Sequence, residues 1–167
     1  MVKMVVFDLD GTLINSLTDL AISVNYGLKL NGLEEKPVEN YKTYVGNGRG
    51  MLIRRAMGDA WTDHELFEKV KADYDRHYAA HCNDHTAAYD GCAEMLEKLA
   101  KKGVKTGVLS NKPDEFVDKM LKKAFPNHKF TQAWGQKPQY KTKPEPDALL
   151  ALLDMSGVTP KECFYVG

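Results

Sequence analysis

Met4 to Phe7 is a short β-branched and aromatic run that stops at Asp8, the pattern of a strand buried on both faces. The period then changes. From Ser16, a candidate N-cap, the apolar positions Leu17, Leu20, Ala21, Val24 and Leu28 recur at helical spacing until Asn31-Gly32 ends them. A second helical stretch covers 48–57. Thr62-Asp63-His64-Glu65 reads as a capping box that opens a third, with Leu66, Val70 and Tyr74 on one face to about Ala80. Residues 16 to about 82 are thus predicted to be all helical.

Beyond Asp84, helices alternate with short strands. A helix near Cys92 to Lys102 is closed by Gly103, and a strand is expected over Val104 to Leu109. The spacing predicts a helix over Asp114 to Phe125, stopped by Pro126, then a weaker strand over Phe130 to Trp134. Pro146 opens a helix through Met155, Gly157 closes it, and Cys163-Phe164-Tyr165-Val166 begins another strand. Strands separated by helices predict an α/β fold, a doubly wound, Rossmann-like parallel sheet with the helical block inserted after its first strand. The expected division is a core of 1–15 and 83–167 and an α-helical cap domain of 16–82.

Composition narrows the classes of function. A chain of 167 residues with 43% apolar and 28% charged residues can bury a real core, which excludes collagen-like and broadly disordered readings. Lysine and arginine balance aspartate and glutamate at 23 each, so neither nucleic acid nor an anionic membrane is an expected partner. The oligomeric state stays open. Cys82, Cys92 and Cys163 have no CxxC spacing, which argues against a disulfide framework or zinc ribbon and fits a reducing compartment. No apolar run suits a signal peptide or the ~20 residues of a membrane span, so a cytoplasmic protein is expected.

In an open parallel sheet, ligands bind at the carboxyl ends of the strands. The residues there are Asp8-Leu9-Asp10-Gly11-Thr12, then Ser110-Asn111-Lys112, then a stretch with Lys141 and Lys143. In extended backbone a spacing of two sends Asp8 and Asp10 the same way, so their carboxylates are expected to face one cavity. A hard cation such as Mg²⁺ would relieve their repulsion, and like charges so close would leave one carboxyl protonated and able to act as an acid.

Asp8-Leu9-Asp10-Gly11-Thr12-Leu13, directly after an apolar strand, closely resembles the first motif of the haloacid dehalogenase-like hydrolase superfamily, whose members are mostly phosphatases. Ser110-Asn111-Lys112-Pro113 resembles the second motif, whose hydroxyl binds the transferring phosphoryl group. Lys143, in Lys143-Pro144-Glu145-Pro146, resembles the third, where the ammonium offsets charge on nucleophile and phosphate. Phe164-Tyr165-Val166-Gly167 is similar to the strand before the fourth, an acidic motif absent from the 167 residues, so the resemblance implies a core truncated at its C-terminus. Tyr44-Val45-Gly46-Asn47-Gly48, followed by Leu52, Arg55 and Ala56, resembles the cap of phosphoglycolate phosphatases.

The resemblance implies a Mg²⁺-dependent phosphomonoester hydrolase acting on a small phosphorylated metabolite such as 2-phosphoglycolate. Asp8 would be the nucleophile, Asp10 the acid and base, Ser110 and Lys143 the phosphoryl clamp, and Asp8 and Asp10 the metal ligands. Gly11, Thr12, Asn111, Gly46, Asn47, Gly48 and Arg49 would meet the substrate, with Lys42 as a second candidate for its carboxylate. A phosphosugar mutase and a fragment that only binds phosphate or a partner are the alternatives. His77, His81 and His85 lie four apart, but no complete metal-ligand set accompanies them, so they read as solvated or hinge histidines. Trp61 and Trp134 read as packing residues.

Overall fold

The Met4–Phe7 run forms a strand with all four side chains buried, and its alternation assigns them to two different cores. In the computed structural model, which describes all 167 residues, the elements in chain order are β1 (Met4–Phe7), β2 (Ile14–Asn15), α1 (Leu17–Leu30), α2 (Tyr41–Tyr44), α3 (Gly48–Met57) and α4 (His64–His81). There follow β3 (Ala87–Ala88), α5 (Cys92–Lys101), β4 (Lys105–Pro113), α6 (Asp114–Ala124), β5 (Gln132–Gln136), α7 (Asp147–Met155) and β6 (Cys163–Val166). The chain divides into two compact units, 1–15 with 87–167 and 16–86.

The first unit carries a four-stranded sheet in the order β5-β4-β1-β6, with every neighbouring pair parallel. Val5 and Phe7 of β1 join Leu96 of α5 and Val117, Met120 and Leu121 of α6 in one core. Met4 and Val6 join Ala148, Leu152 and Leu153 of α7 in the other. Helices therefore cover both faces, as the doubly wound reading expected, and each fully buried aliphatic or aromatic side chain contributes about 1.5 to 3 kcal/mol. Beside this sheet, β2 and β3 form an antiparallel two-stranded ribbon, Ile14 opposite Ala88 and Asn15 opposite Ala87.

Some boundaries differ from the sequence reading. β4 runs past Leu109 to Pro113, with a register shift between those two residues. Strand β5 begins at Gln132 because Phe130 is drawn into edge-on ring contacts with Phe125 and His128 instead. At Gly135 of β5 the two strands approach so closely that a Cβ would lie 2.4 Å from the Lys112 carbonyl oxygen and 2.5 Å from Asp114 Cα. Only glycine fits there.

The second unit is helical, though not continuously: residues 31–37 and 45–47 are turns and coil, with 3₁₀ turns at Val38–Asn40 and Gly58–Thr62. Leu20, Ala21, Val24 and Leu28 of α1 are buried, as are Phe67, Val70, Tyr74 and Tyr78 of α4. The two helices meet at Gly27, where a Cβ would stand 2.7 Å from the Val70 carbonyl oxygen. Asp63, not Thr62, caps α4: its carboxylate accepts from Leu66 N–H at 3.0 Å, while Thr62 Oγ1 donates to the Asp59 carbonyl. Asp19 of α1 is buried and accepts from His85 N–H, Thr86 N–H and Thr86 Oγ1 at 2.7 to 3.0 Å. Residues 83–86 therefore stay with the helical unit, whereas the periodicity placed them with the α/β unit.

No helix is long and apolar enough to cross a membrane. Cys82 is buried, while Cys92 and Cys163 are half-buried, and none forms a disulfide. His77 is half-buried: its Nδ1 lies 3.0 Å from Ser23 Oγ, its ring packs at a tilt against Tyr26 and His81, and burial lowers its pKa. His81 instead pairs with Asp84. Trp134 packs in the α7-side core, but Trp61 is 41% exposed beneath the Arg54 guanidinium.

Candidate active site

The chain leaves β1, adds β4 and β5 on one side, then crosses to β6 on the other. In such a sheet the crevice opens at the carboxyl ends of the strands beside this reversal. Asp8 follows β1 at that point, its N–H donating to the Val166 carbonyl of β6 at 2.8 Å.

Asp8 Oδ1 accepts from Leu9 N–H at 2.7 Å and from Lys143 Nζ at 2.8 Å. Both contacts fall on the same oxygen, so Oδ2 carries none. Lys143 Nζ also donates to the Leu109 carbonyl at 2.8 Å and the Tyr165 hydroxyl at 2.7 Å, which commits its three protons. Burial pushes the Tyr165 phenol upward, so its oxygen is held neutral as an acceptor. The loop bearing Lys143 is fixed through its backbone: Asn111 Oδ1 accepts from Lys143 N–H at 2.9 Å, and Asn111 Nδ2 donates to the Lys143 carbonyl at 3.1 Å. Asn111 thus grips the loop that supplies Lys143.

Asp10 lies beyond β1, in a turn closed by an isolated bridge to Ile14 and a Gly11 N–H bond to the Ile14 carbonyl at 2.9 Å. Thr12 continues the turn with its N–H on the Leu9 carbonyl, and its own carbonyl accepts from the Cys92 thiol. Asp10 Oδ1 stands 3.1 Å from Lys112 Nζ. The expectation that both carboxylates project from one extended strand is therefore corrected. Each has its own ammonium, and that pairing relieves the repulsion. Ser110, Asn111 and Lys112 are all buried, and Ser110 Oγ accepts from Lys112 N–H at 3.2 Å, leaving its own O–H available to donate.

Gly46, Asn47, Gly48 and Arg49 belong to the helical unit. Gly46 and Gly48 take positive φ of 123° and 80° around Asn47, which precedes α3. Asn47 Oδ1 accepts from Arg55, whose other nitrogen donates to the Tyr44 carbonyl, and Arg49 pairs with Asp75 at 2.8 Å. Lys42 pairs with Glu39. These basic groups already have acidic or carbonyl partners.

The model of a haloacid dehalogenase-like hydrolase family matches residues 5–167. The chain belongs to that family. Among its relatives, a phosphoglycolate phosphatase of Pseudomonas savastanoi is 35% identical over 99% of this chain, and one of Aliivibrio fischeri is 32% identical over 99%. The chain spans 62% of the Pseudomonas protein and 75% of the Aliivibrio one. A predicted phosphoglycolate phosphatase from Haemophilus somnus, solved by crystallography, superposes with a TM-score of 0.90 at 32% identity, covering 99% of this chain and 76% of that one. The fold and family resemblance read from the sequence are both borne out.

The donors are oxygens, as the hard cation that the family implies requires: Asp8 brings a carboxylate and Asp10 a backbone carbonyl. No group of three or more His, Cys, Asp or Glu side chains assembles that could hold a metal ion. Sequence reasoning placed Lys112 at the end of the second strand but gave it no role, and it missed Tyr165 as part of this cluster. For Lys112 the signal was present, since it stands two residues after Ser110 on extended backbone; for Tyr165 only the partner of Lys143 reveals the role.

Proposed function

We propose that this chain carries the phosphoryl-transfer centre of a phosphatase acting on a small phosphomonoester such as 2-phosphoglycolate, through a phosphorylated Asp8. The observation that carries this reading is the asymmetry of Asp8: Oδ1 is held by Lys143 and a backbone N–H, and Oδ2 is uncommitted beside the sheet's reversal. A carboxylate fixed by one oxygen presents the other as nucleophile.

Asp8 Oδ2 attacks phosphorus in line with the leaving oxygen. The bond from phosphorus to that oxygen breaks as Asp10 donates a proton to it, giving an alcohol and an aspartyl phosphate. The Ser110 O–H donates to a phosphoryl oxygen, and Lys143 exchanges one of its contacts for another as charge develops. Water then attacks phosphorus, Asp10 takes its proton, and the bond to Asp8 breaks. Inorganic phosphate leaves, and both carboxyl groups are restored. Mg²⁺ would be held by Asp8 and Asp10, and when bound it withdraws charge from the phosphoryl oxygens.

The test measures phosphate release from 2-phosphoglycolate with Mg²⁺, alongside borohydride trapping. Reduction of an acyl phosphate at position 8 leaves homoserine, detectable by peptide mass. Asp8→Asn should abolish both signals; turnover by that variant at the unsubstituted rate refutes the nucleophile.

A further inference from the structure

Lys112 is the only lysine among the buried residues, its side chain 3% exposed, and its ammonium faces the Asp10 carboxylate at 3.1 Å. Placing a charge there is costly. An ion pair removed from water is a poor stabiliser, commonly no better than apolar side chains of the same volume, and it is damaging when one partner is lost. The fold nonetheless fixes this lysine firmly. Its N–H is bound by Ser110 Oγ, and its carbonyl is packed against Gly135, where no side chain fits. Asp10, by contrast, sits in a turn outside the strands.

We infer that Lys112 is a positioning residue: it holds Asp10 by Oδ1 so that the proton passed to the leaving group is carried on the opposite oxygen. This rests on the acid and base role proposed for Asp10. An oxygen that accepts from an ammonium is the less able of the two to bear a proton, so the contact selects Oδ2 and fixes its direction. The consequence concerns the leaving group. An aliphatic alkoxide departs only with a proton, whereas p-nitrophenolate departs without one. Lys112 therefore matters for aliphatic phosphomonoesters and little for p-nitrophenyl phosphate.

The experiment compares the unsubstituted chain, Lys112→Met, Asp10→Asn and the double variant. It measures kcat/KM for 2-phosphoglycolate and p-nitrophenyl phosphate and the thermal midpoint. Lys112→Met should lower the ratio of aliphatic to aryl kcat/KM by about 10-fold or more, with most of the loss in kcat for the aliphatic ester. In the Asp10→Asn background the same substitution should leave the ratio unchanged. The midpoint should fall in Lys112→Met and recover in the double variant, which removes both charges of the ion pair. If Lys112→Met does not fold, the double variant carries the comparison: it should match Asp10→Asn in ratio.

An unchanged ratio in Lys112→Met, while Asp10→Asn lowers it, overturns the positioning role and leaves the proposed chemistry standing. An unchanged ratio in Asp10→Asn overturns the acid role itself. A double variant no more stable than Lys112→Met also refutes the inference, because the two side chains would then not be coupled.

Discussion

Replacing Gly135 by alanine tests the closest backbone approach near the site. The added Cβ would lie 2.4 Å from the Lys112 carbonyl oxygen, 2.5 Å from Asp114 Cα and 2.7 Å from Asp114 N. All three are backbone atoms, so no side chain can swing aside, and either β5 or the end of β4 must move. Overpacking costs typically 1 to 3 kcal/mol, and three immovable contacts place this case near ~3 kcal/mol. For a chain of this size that lowers the thermal midpoint by roughly 6 to 12 °C. Gly50 provides the control, because it lies in the first turn of α3 and a Cβ there meets nothing within 4 Å. Gly50→Ala should leave stability unchanged or raise it by up to about 0.5 kcal/mol, as alanine costs less chain entropy in a helix. Urea unfolding followed by circular dichroism reads both. A Gly135→Ala variant within ~0.5 kcal/mol of the unsubstituted chain would refute the packing argument, since ordinary surface changes fall in that range.

Four further outcomes follow from the same geometry. Tyr165→Phe keeps the ring beside Lys143 but removes the oxygen that accepts its proton; steady-state kinetics should show kcat reduced severalfold with the fold intact, and an unchanged kcat would mean that Lys143 needs no third acceptor. Asp19→Ala deletes a buried carboxylate that accepts from two backbone N–H groups and a hydroxyl, so chemical denaturation should register a loss of about 2 to 4 kcal/mol. Glu162 is held down at about 2, from an ordinary value of 4.5, by the Lys3 ammonium and by Thr159; its contribution is complete above pH ~4.5 and lost as pH falls toward 2, so Glu162→Gln should lower stability at neutral pH, converge with the unsubstituted chain near pH ~2, and flatten acid unfolding in that window. Calorimetric titration should find weak Mg²⁺ binding by this chain, because Asp8 and Asp10 each face an ammonium and no third acidic group joins them; submicromolar binding would contradict that.

Much of the fold was legible because apolar period and strand burial are the same physics. Met4–Phe7 reads as a doubly buried strand and forms one, and the alternation after Asp84 yields the parallel sheet. The reading failed where polar side chains are buried by hydrogen bonds. Its second strand stopped at Leu109, where apolarity ends, yet the backbone continues to Pro113 with Ser110, Asn111 and Lys112 buried within it. Lys112 was legible as a strand-end residue, but its burial against Asp10 was not. Two adjacent residues able to cap α4 were also indistinguishable by spacing, and the backbone selects Asp63 over Thr62. Asp8 and Lys143, 135 positions apart, meet only because β1 and β4 are neighbours and Asn111 grips the later loop, a relation that no local pattern encodes.

Because Asn15 and Ala87 are ladder partners, all of 16–86 occupies the place where a β-hairpin has its loop. Its ends are already brought together, by that ladder and by Asp19 binding Thr86. The α/β unit pays no extra closure entropy when the excursion changes length or content. Replacing 16–86 by a two-residue Asn-Gly turn would leave β2 and β3 in their present register. The helical excursion is thus an exchangeable cassette, which can be lengthened, shortened or replaced at that seam without rebuilding the sheet.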